Sequence, residues 1–395
     1  MGPRAAETPI VNAWSTKSTV PFFRVGNYAP VFDELTTFDL PFEGAIPPQL
    51  NGWYLRNGPN PRNETPHWFT GDGMIHGVRL ESGRAAWYRN RWVRTESFDK
   101  PSLLYNSDGT RNLHASVANT NVVNHAGKTL ALVESVGELI IDRGVDVPSL
   151  TMMHDFALSA EHIVFMDLPL VFRLDIARNS PRNLPYRWSD DYCARLGVLR
   201  RDDPYGPIRW FDIDPCYVFH VLNAFDKTTD DHKLIVLQAA RYPELWRDDG
   251  APGFDAVMWS WTINLTRSTV TDQQIDERAV EFPRIDDRLV GMPARYGVTV
   301  RTGKLVRYDL ETGTAEEHSF GTATAPGGPA EAVFAPAGSD GDELSGWYLS
   351  YVYDPVRDGS DLVIIEASDF QHKPVARVQL PHRVPYGFHG NWIAG

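Results

Sequence analysis

Short runs of β-branched and aromatic residues recur along the chain at strand length, and the spacing of an amphipathic helix is scarce. "KTLALVES", "HIVFMDL", "CYVFHVLNAF", "HKLIVLQAARY", "AVMWSWTINL", "GKLVRYDL", "SGWYLSYVYD" and "DLVIIEAS" each predict a strand. Between such runs lie "DLETGT", "DPVRDGSD" and "APAGSDGDE", whose Gly, Pro, Asn and Asp supply the backbone angles of tight turns. The run Asn57, Gly58, Pro59 in "LRNGPNP" reads as a turn, and "GDGMIHG" (Gly71 to Gly77) as a hairpin between strands. The repeating unit is strand, turn, strand, so the expected fold is all-β. A sheet protein of 395 residues must protect its strand edges. A ring of small antiparallel sheets, a propeller, does this with local hairpins, and a pair of large sandwiches is the competing architecture. No WD or kelch repeat marks the chain. The Gly, Pro and Ala-rich stretch from Gly321 to Glu343 reads as loops around a short strand, "EAVFA", so residues 1–395 are expected to form one domain.

Composition narrows the function classes. The chain is 42% hydrophobic and 23% charged, ordinary for a globular protein with a sizeable core. A net charge of -13 disfavours a nucleic-acid partner, because phosphate binding needs a basic surface to displace counterions. Small-molecule chemistry is the better expectation. Cys193 and Cys216 are too few for a disulfide framework and lack zinc-site spacing, which suits a reducing, cytoplasmic setting. "MGPRAAETPIVNAW" has no signal-peptide pattern, no apolar run reaches membrane-spanning length, and Ala6 stands where a myristoylation signal needs Ser or Thr.

Of twelve histidines, three stand apart. His154 in "TMMHDFAL", His220 in "YVFHVLNAFD" and His389 in "YGFHGNW" each lie among apolar or aromatic residues beside a strand-like run, where a buried imidazole needs a partner. A metal is one such partner, since neutral imidazoles from separate strands suit iron, zinc or copper. No H-E-x-x-H, Cys-x-x-Cys, G-x-S-x-G or P-loop pattern competes for the assignment. His76 and His125 read as structural or turn residues.

"GWYLRNGPNP", "HWFTGDGMIHGVRL", "TMMHDFAL", "VFHVLNAFD" and "VPYGFHGNW", in that order, closely resemble the carotenoid cleavage oxygenase family. These are non-haem iron enzymes that include carotenoid, apocarotenoid and stilbenoid dioxygenases, and the likeness runs from about Phe32 to Trp392. It implies a seven-bladed β-propeller with Fe(II) held by four histidines on its axis. His154, His220 and His389 correspond to the second, third and fourth ligands, and the 66-residue separation of the first two resembles the family's spacing. Glu134, Glu281 and Glu331 correspond to the glutamates that hold the ligands' other ring nitrogens. The motif carrying the family's first ligand is missing. Family-like chain stops near "ALVESV" and resumes near "GELIIDRGVDVPSLTMMHD", so the resemblance implies an absent segment and one incomplete blade.

The implied reaction is cleavage of a conjugated carbon–carbon double bond by O2 to two carbonyl products, on an apolar carotenoid or apocarotenoid. Stilbenoid-cleaving relatives tend to carry lysine where this chain has Val133, which weakens that substrate class. "IVFMDLPLVF" (Ile163 to Phe172) reads as core strand, with an apolar channel or peripheral membrane contact as the alternatives. The competing reading is a family member that lost iron with its first ligand and either binds an apolar isoprenoid or has no activity.

Overall fold

The computed structural model describes residues 20–65, 67–99, 112, 115–125, 127–132, 144–179, 185–247, 255–339 and 341–395. Among them the one α-helix is Leu174–Asn179, and the remaining regular structure is strand with a few 3-10 turns, so the protein is all-β. Glu134 and the expected break between Val136 and Gly137 lie outside the described residues.

Five antiparallel sheets carry the fold. The first orders Thr36–Phe38, Arg84–Trp92, Gly73–Glu81, Gly52–Pro59 and, from the far end of the chain, Gly390–Ala394. The next three are local meanders. The second contains Arg209–Asp212, Arg195–Arg200, His162–Asp167 and Ala157–Leu158; the third Tyr217–Thr228, Lys233–Tyr242, Val257–Asn264 and Thr269–Gln274; the fourth Glu281–Arg284, Tyr296–Arg301, Lys304–Asp309 and Thr314–Ser319. The fifth is built around Gly346–Asp354 and Gly359–Glu366, flanked by Ala376–Gln379, Phe42–Gly44, Gly328–Pro329 and Val333–Pro336. Two hairpins stand apart, Asn121–His125 with Lys128–Leu132 and Leu170–Phe172 with Tyr186–Trp188.

The sheets pack face to face in series. Val164, Met166 and Leu196 of the second meet Ile235, Leu237 and Trp261 of the third in one core cluster. Leu222 and Met258 of the third pack with Val306 and Tyr308 of the fourth. Val298 and Leu305 of the fourth join Tyr348 and Val363 of the fifth, and Leu349, Leu362 and Ile364 of the fifth join Tyr54, Val78 and Tyr88 of the first. Strands in the middle of this series are covered on both faces, which is why "GWYLSYVYD" and "DLVIIE" are nearly continuous apolar runs. Each fully buried aliphatic side chain there contributes about 1.5–3 kcal/mol. Among the described residues no core cluster bridges the first sheet to the second. The Asn121–Leu132 hairpin falls between them in chain order. These residues therefore do not display the seven complete blades that the resemblance implies.

Two turn readings are overturned. Asn57, Gly58 and Pro59 end the strand Gly52–Pro59, and most of "GDGMIHG" lies inside Gly73–Glu81. The glycines answer to close approach rather than to turning: a Cβ on Gly58 would stand 2.5 Å from the Gly387 Cα, and one on Gly73 2.3 Å from the Ala118 carbonyl oxygen. Cys193 and Cys216 are free, the first exposed and the second buried.

Candidate metal centre

His220, His389 and His154 come from different sheets or their connections, and the fold sets them in a row. The His154 and His220 ring centroids are 5.3 Å apart and those of His220 and His389 5.1 Å apart, both edge-on. Local anchors explain each position. The Met152 amide donates to the Leu170 carbonyl at 2.9 Å, and the Tyr217 hydroxyl donates to the Met152 carbonyl at 3.1 Å, fixing the approach to His154. Asp155 then clips the His154 and His220 segments together, one carboxylate oxygen accepting the Val221 amide at 2.9 Å. That amide is free to donate because the strand pairing slips its register between Val218 and Asn223. His389 is held through its backbone, its carbonyl accepting from the Asn57 amide at 3.1 Å and its amide donating to the Thr120 carbonyl at 3.3 Å.

Two of the glutamates that the resemblance names lie beside these rings. Glu281 is buried, and its Oε2 lies 2.6 Å from His220 Nδ1 and accepts the Phe282 amide at 2.6 Å. Its Oε1 accepts from the Tyr242 hydroxyl at 3.0 Å. Glu331, also buried, lies 3.0 Å from His389 Nδ1, and its other oxygen accepts from the Gly390 amide at 2.8 Å and from Arg284 at 3.1 Å. Glu134, outside the described residues, cannot be placed among these contacts.

Electrostatics assigns the protons. Burial, reinforced by the neighbouring His220 and His389, pulls the His154 pKa down to about 3, so that ring is neutral. For His220 burial acts downward, but the charge and hydrogen bond of Glu281 outweigh it and the pKa is raised. Burial alone would raise the Glu331 pKa; the Arg284 charge, then His389 and the Gly390 amide, reverse this and bring it to about 2. A carboxylate facing Nδ1 makes that nitrogen the donor, which leaves Nε2 as the atom that could face an ion.

Aromatic rings wall the row. Phe282 stacks on His220 with centroids 4.9 Å apart, and Phe219 meets His154 edge-on at 5.1 Å. Phe282 holds a left-handed backbone angle, φ 51, at a register slip of its strand, a cost tolerated where a side chain must be re-aimed. Reasoning from sequence missed Asp155, Tyr242, Phe282 and Arg284. Asp155 and Arg284 were in view, inside "MMHDF" and "VEFPRID", as charges embedded in apolar runs.

The donor set fits an ion such as ferrous iron: three imidazoles, two of them with Nδ1 held by buried carboxylates, in an aromatic setting. Among the described residues no three His, Cys, Asp or Glu side chains stand at ion-holding distances.

The class these features define is an all-β protein whose packed sheets converge on imidazoles backed by buried carboxylates. The profile of the family described as retinal pigment epithelial membrane protein matches residues 28–144 and 135–394. A carotenoid cleavage oxygenase of Mycobacterium tuberculosis is 34% identical over 504 aligned positions, covering 97% of this chain and 99% of that protein. The carotenoid 9,10(9',10')-cleavage dioxygenase of Crocus sativus is 28% identical, covering 98% and 92%. Among solved structures, a Synechocystis apocarotenoid oxygenase variant (22% identical, TM-score 0.79, covering 93% and 98%) and the Pseudomonas brassicacearum lignostilbene dioxygenase (23% identical, TM-score 0.80, covering 94% and 98%) share the fold. The chain belongs to the carotenoid cleavage oxygenase family.

Proposed function

We propose that this chain is an Fe(II)-dependent dioxygenase that cleaves a conjugated carbon–carbon double bond of a carotenoid or apocarotenoid to two carbonyl products. The observation that carries the reading is the imidazole row with two Nδ1 atoms held by Glu281 and Glu331. His154, His220 and His389 would hold the ion. When bound, ferrous iron supplies the redox chemistry by which O2 reacts with an electron-rich alkene. The protein's part is positioning and dryness. Glu281 and Glu331 keep the rings' lone pairs turned one way, Tyr242 and Arg284 keep those carboxylates in place, and Phe219 and Phe282 exclude water from the imidazole faces.

Exposed Phe156, Leu150, Val290 and Met292 mark an apolar region near the His154 segment, where a Cβ on Gly291 would meet Ser159 at 3.3 Å. It suits the mouth of a channel for an apolar substrate and a peripheral contact with the membrane that dissolves it. No helix among the described residues is long and apolar enough to cross a membrane. We read residues 1–395 as one propeller domain of seven blades, with the Asn121–Leu132 hairpin as the remnant of an incomplete one. The two profile spans meet at residues 135–144, and 504 aligned positions exceed this chain's 395 residues by over a hundred, which supports an absent segment there.

That segment also supports a second reading, a family member that binds an isoprenoid without cleaving it. Iron per chain after anaerobic reconstitution, with loosely bound metal removed, separates the two. A value near one, lost in His220→Ala, is expected for the oxygenase, together with O2-dependent bleaching of a polyene and two carbonyl products by mass. Wild type with no iron, or His220→Ala with unchanged iron, overturns the assignment. Inserting a family-like segment with its histidine between Val136 and Gly137 should then raise iron retention about 10- to 100-fold, the range that loss of a supporting interaction typically costs.

A further inference from the structure

Beside the seam where Gly390–Ala394 meets Gly52–Pro59 lies a cavity of about 10 Å³, lined among others by Arg56, Asn60, His76, Met74 and Tyr386. Arg56 is 3% exposed. Among the described residues its guanidinium donates from Nη1 to the Pro385 carbonyl at 3.1 Å, and its buried Nε has no partner there. The guanidinium cannot escape its charge by losing a proton.

The surroundings do not compensate it. No carboxylate lines the cavity. Glu331 is within electrostatic reach, but its oxygens already serve His389, Gly390 and Arg284. His76, buried, turns Nδ1 to the Tyr88 hydroxyl at 2.8 Å, and that hydroxyl lies 3.4 Å from His382 Nε2. Arg383, adjoining His382, has its nearest carboxylate, Asp358, 3.8 Å away and well exposed. The buried Arg56 guanidinium thus lies beside a cavity with no carboxylate in its lining, in a protein of net charge -13.

We propose that this cavity binds one small monovalent anion of the halide class, held by Arg56 Nε. A water molecule would satisfy the hydrogen-bonding need and leave the charge uncompensated, and a cavity holding about one small sphere is too small for phosphate or an organic acid. The bound anion would stiffen the seam that carries His389, because Arg56 pairs with Gly390 and the Asn57 amide holds the His389 carbonyl. The inference stands apart from the iron reading and can fail without it.

The test uses the full chain crystallised with bromide in place of chloride, with diffraction collected on both sides of the bromine edge. An anomalous peak within hydrogen-bonding reach of Arg56 Nε is expected. A water there, or a side chain from elsewhere in the chain filling the cavity, overturns the proposal. In solution, halide should raise the melting temperature by a few degrees over gluconate at equal ionic strength, and Arg56→Gln should abolish that difference. If Arg56→Gln does not fold, His76→Gln should reduce it. A bromide peak with halide-insensitive melting of the wild type would mean binding at crystal concentration only, and would overturn the proposal as well.

Discussion

The strands Gly346–Asp354 and Lys128–Leu132 announce themselves in sequence by the same kind of apolar run, yet they live in different environments. Seven consecutive residues of the first, Gly346 to Val352, are buried, and the strand pairs on both edges, with Gly359–Glu366 and with Val333–Pro336. Among the described residues the second pairs with Asn121–His125 alone, and Leu130 and Leu132 are 38% and 39% exposed. Strand pattern is a property of the segment, whereas burial comes from the sheet that packs above it. Among the described residues the hairpin falls, in chain order, between the first and second sheets, which no core cluster joins.

Breaking the polar framework inside the packed region should have the largest effect. Glu331→Ala leaves the Arg284 guanidinium, the Gly390 amide and His389 Nδ1 without their buried acceptor. Removing one partner of a buried ion pair costs about 3–5 kcal/mol, so denaturant unfolding should register a loss of that size, with iron retention falling alongside it. Thr129→Ala in the exposed hairpin strand should stay within about 0.5 kcal/mol. Equal losses at the two positions would show that the packed region is not where stability resides.

The same contrast can be drawn with apolar side chains alone. Leu349 is fully buried between the first and fifth sheets, so Leu349→Ala should cost about 2–5 kcal/mol through lost transfer energy and a residual cavity. Leu130→Ala should cost far less, about 0.5 kcal/mol or under, because water already reaches that side chain. A loss at Leu130 matching that at Leu349 would mean that chain outside the described residues covers the hairpin, and the incomplete-blade reading would fall.

The same distinction explains what could be read without coordinates. Fold class was legible because each strand states its own type: "HIVFMDL", "HKLIVLQAARY" and "DLVIIE" became His162–Asp167, Lys233–Tyr242 and Gly359–Glu366. For the candidate site, the apolar settings of three histidines singled them out, while Glu281 and Glu331 came only through the family resemblance. Asp155 and Arg284 were not legible, since their roles depend on which amide or carboxylate another strand brings within 3.1 Å. Asn57 and Gly73 were misread for a related reason. A glycine or asparagine forced by a neighbouring backbone looks, in one dimension, like a glycine or asparagine that turns the chain.

Acid provides a graded probe of the packed region, with the sign set by its histidines. Burial lowers the pKa of His67 to about 4, that of His76 well below the ordinary imidazole value, and those of His318 and His382 below it as well. Each is therefore neutral in the native state at a pH where the unfolded chain has taken up a proton. Their contribution is fully present above the unfolded value near 6.5 and is lost as the pH falls toward the folded values, at His67 down to about 4. Stability should fall by about 1.4 kcal/mol per pH unit for each proton so taken up. Denaturant unfolding between about pH 7 and pH 5 should show that slope. His76→Gln should make it shallower, and a flat profile in the wild type would show that these imidazoles are reached by solvent and that the series of sheets is looser than its packing implies.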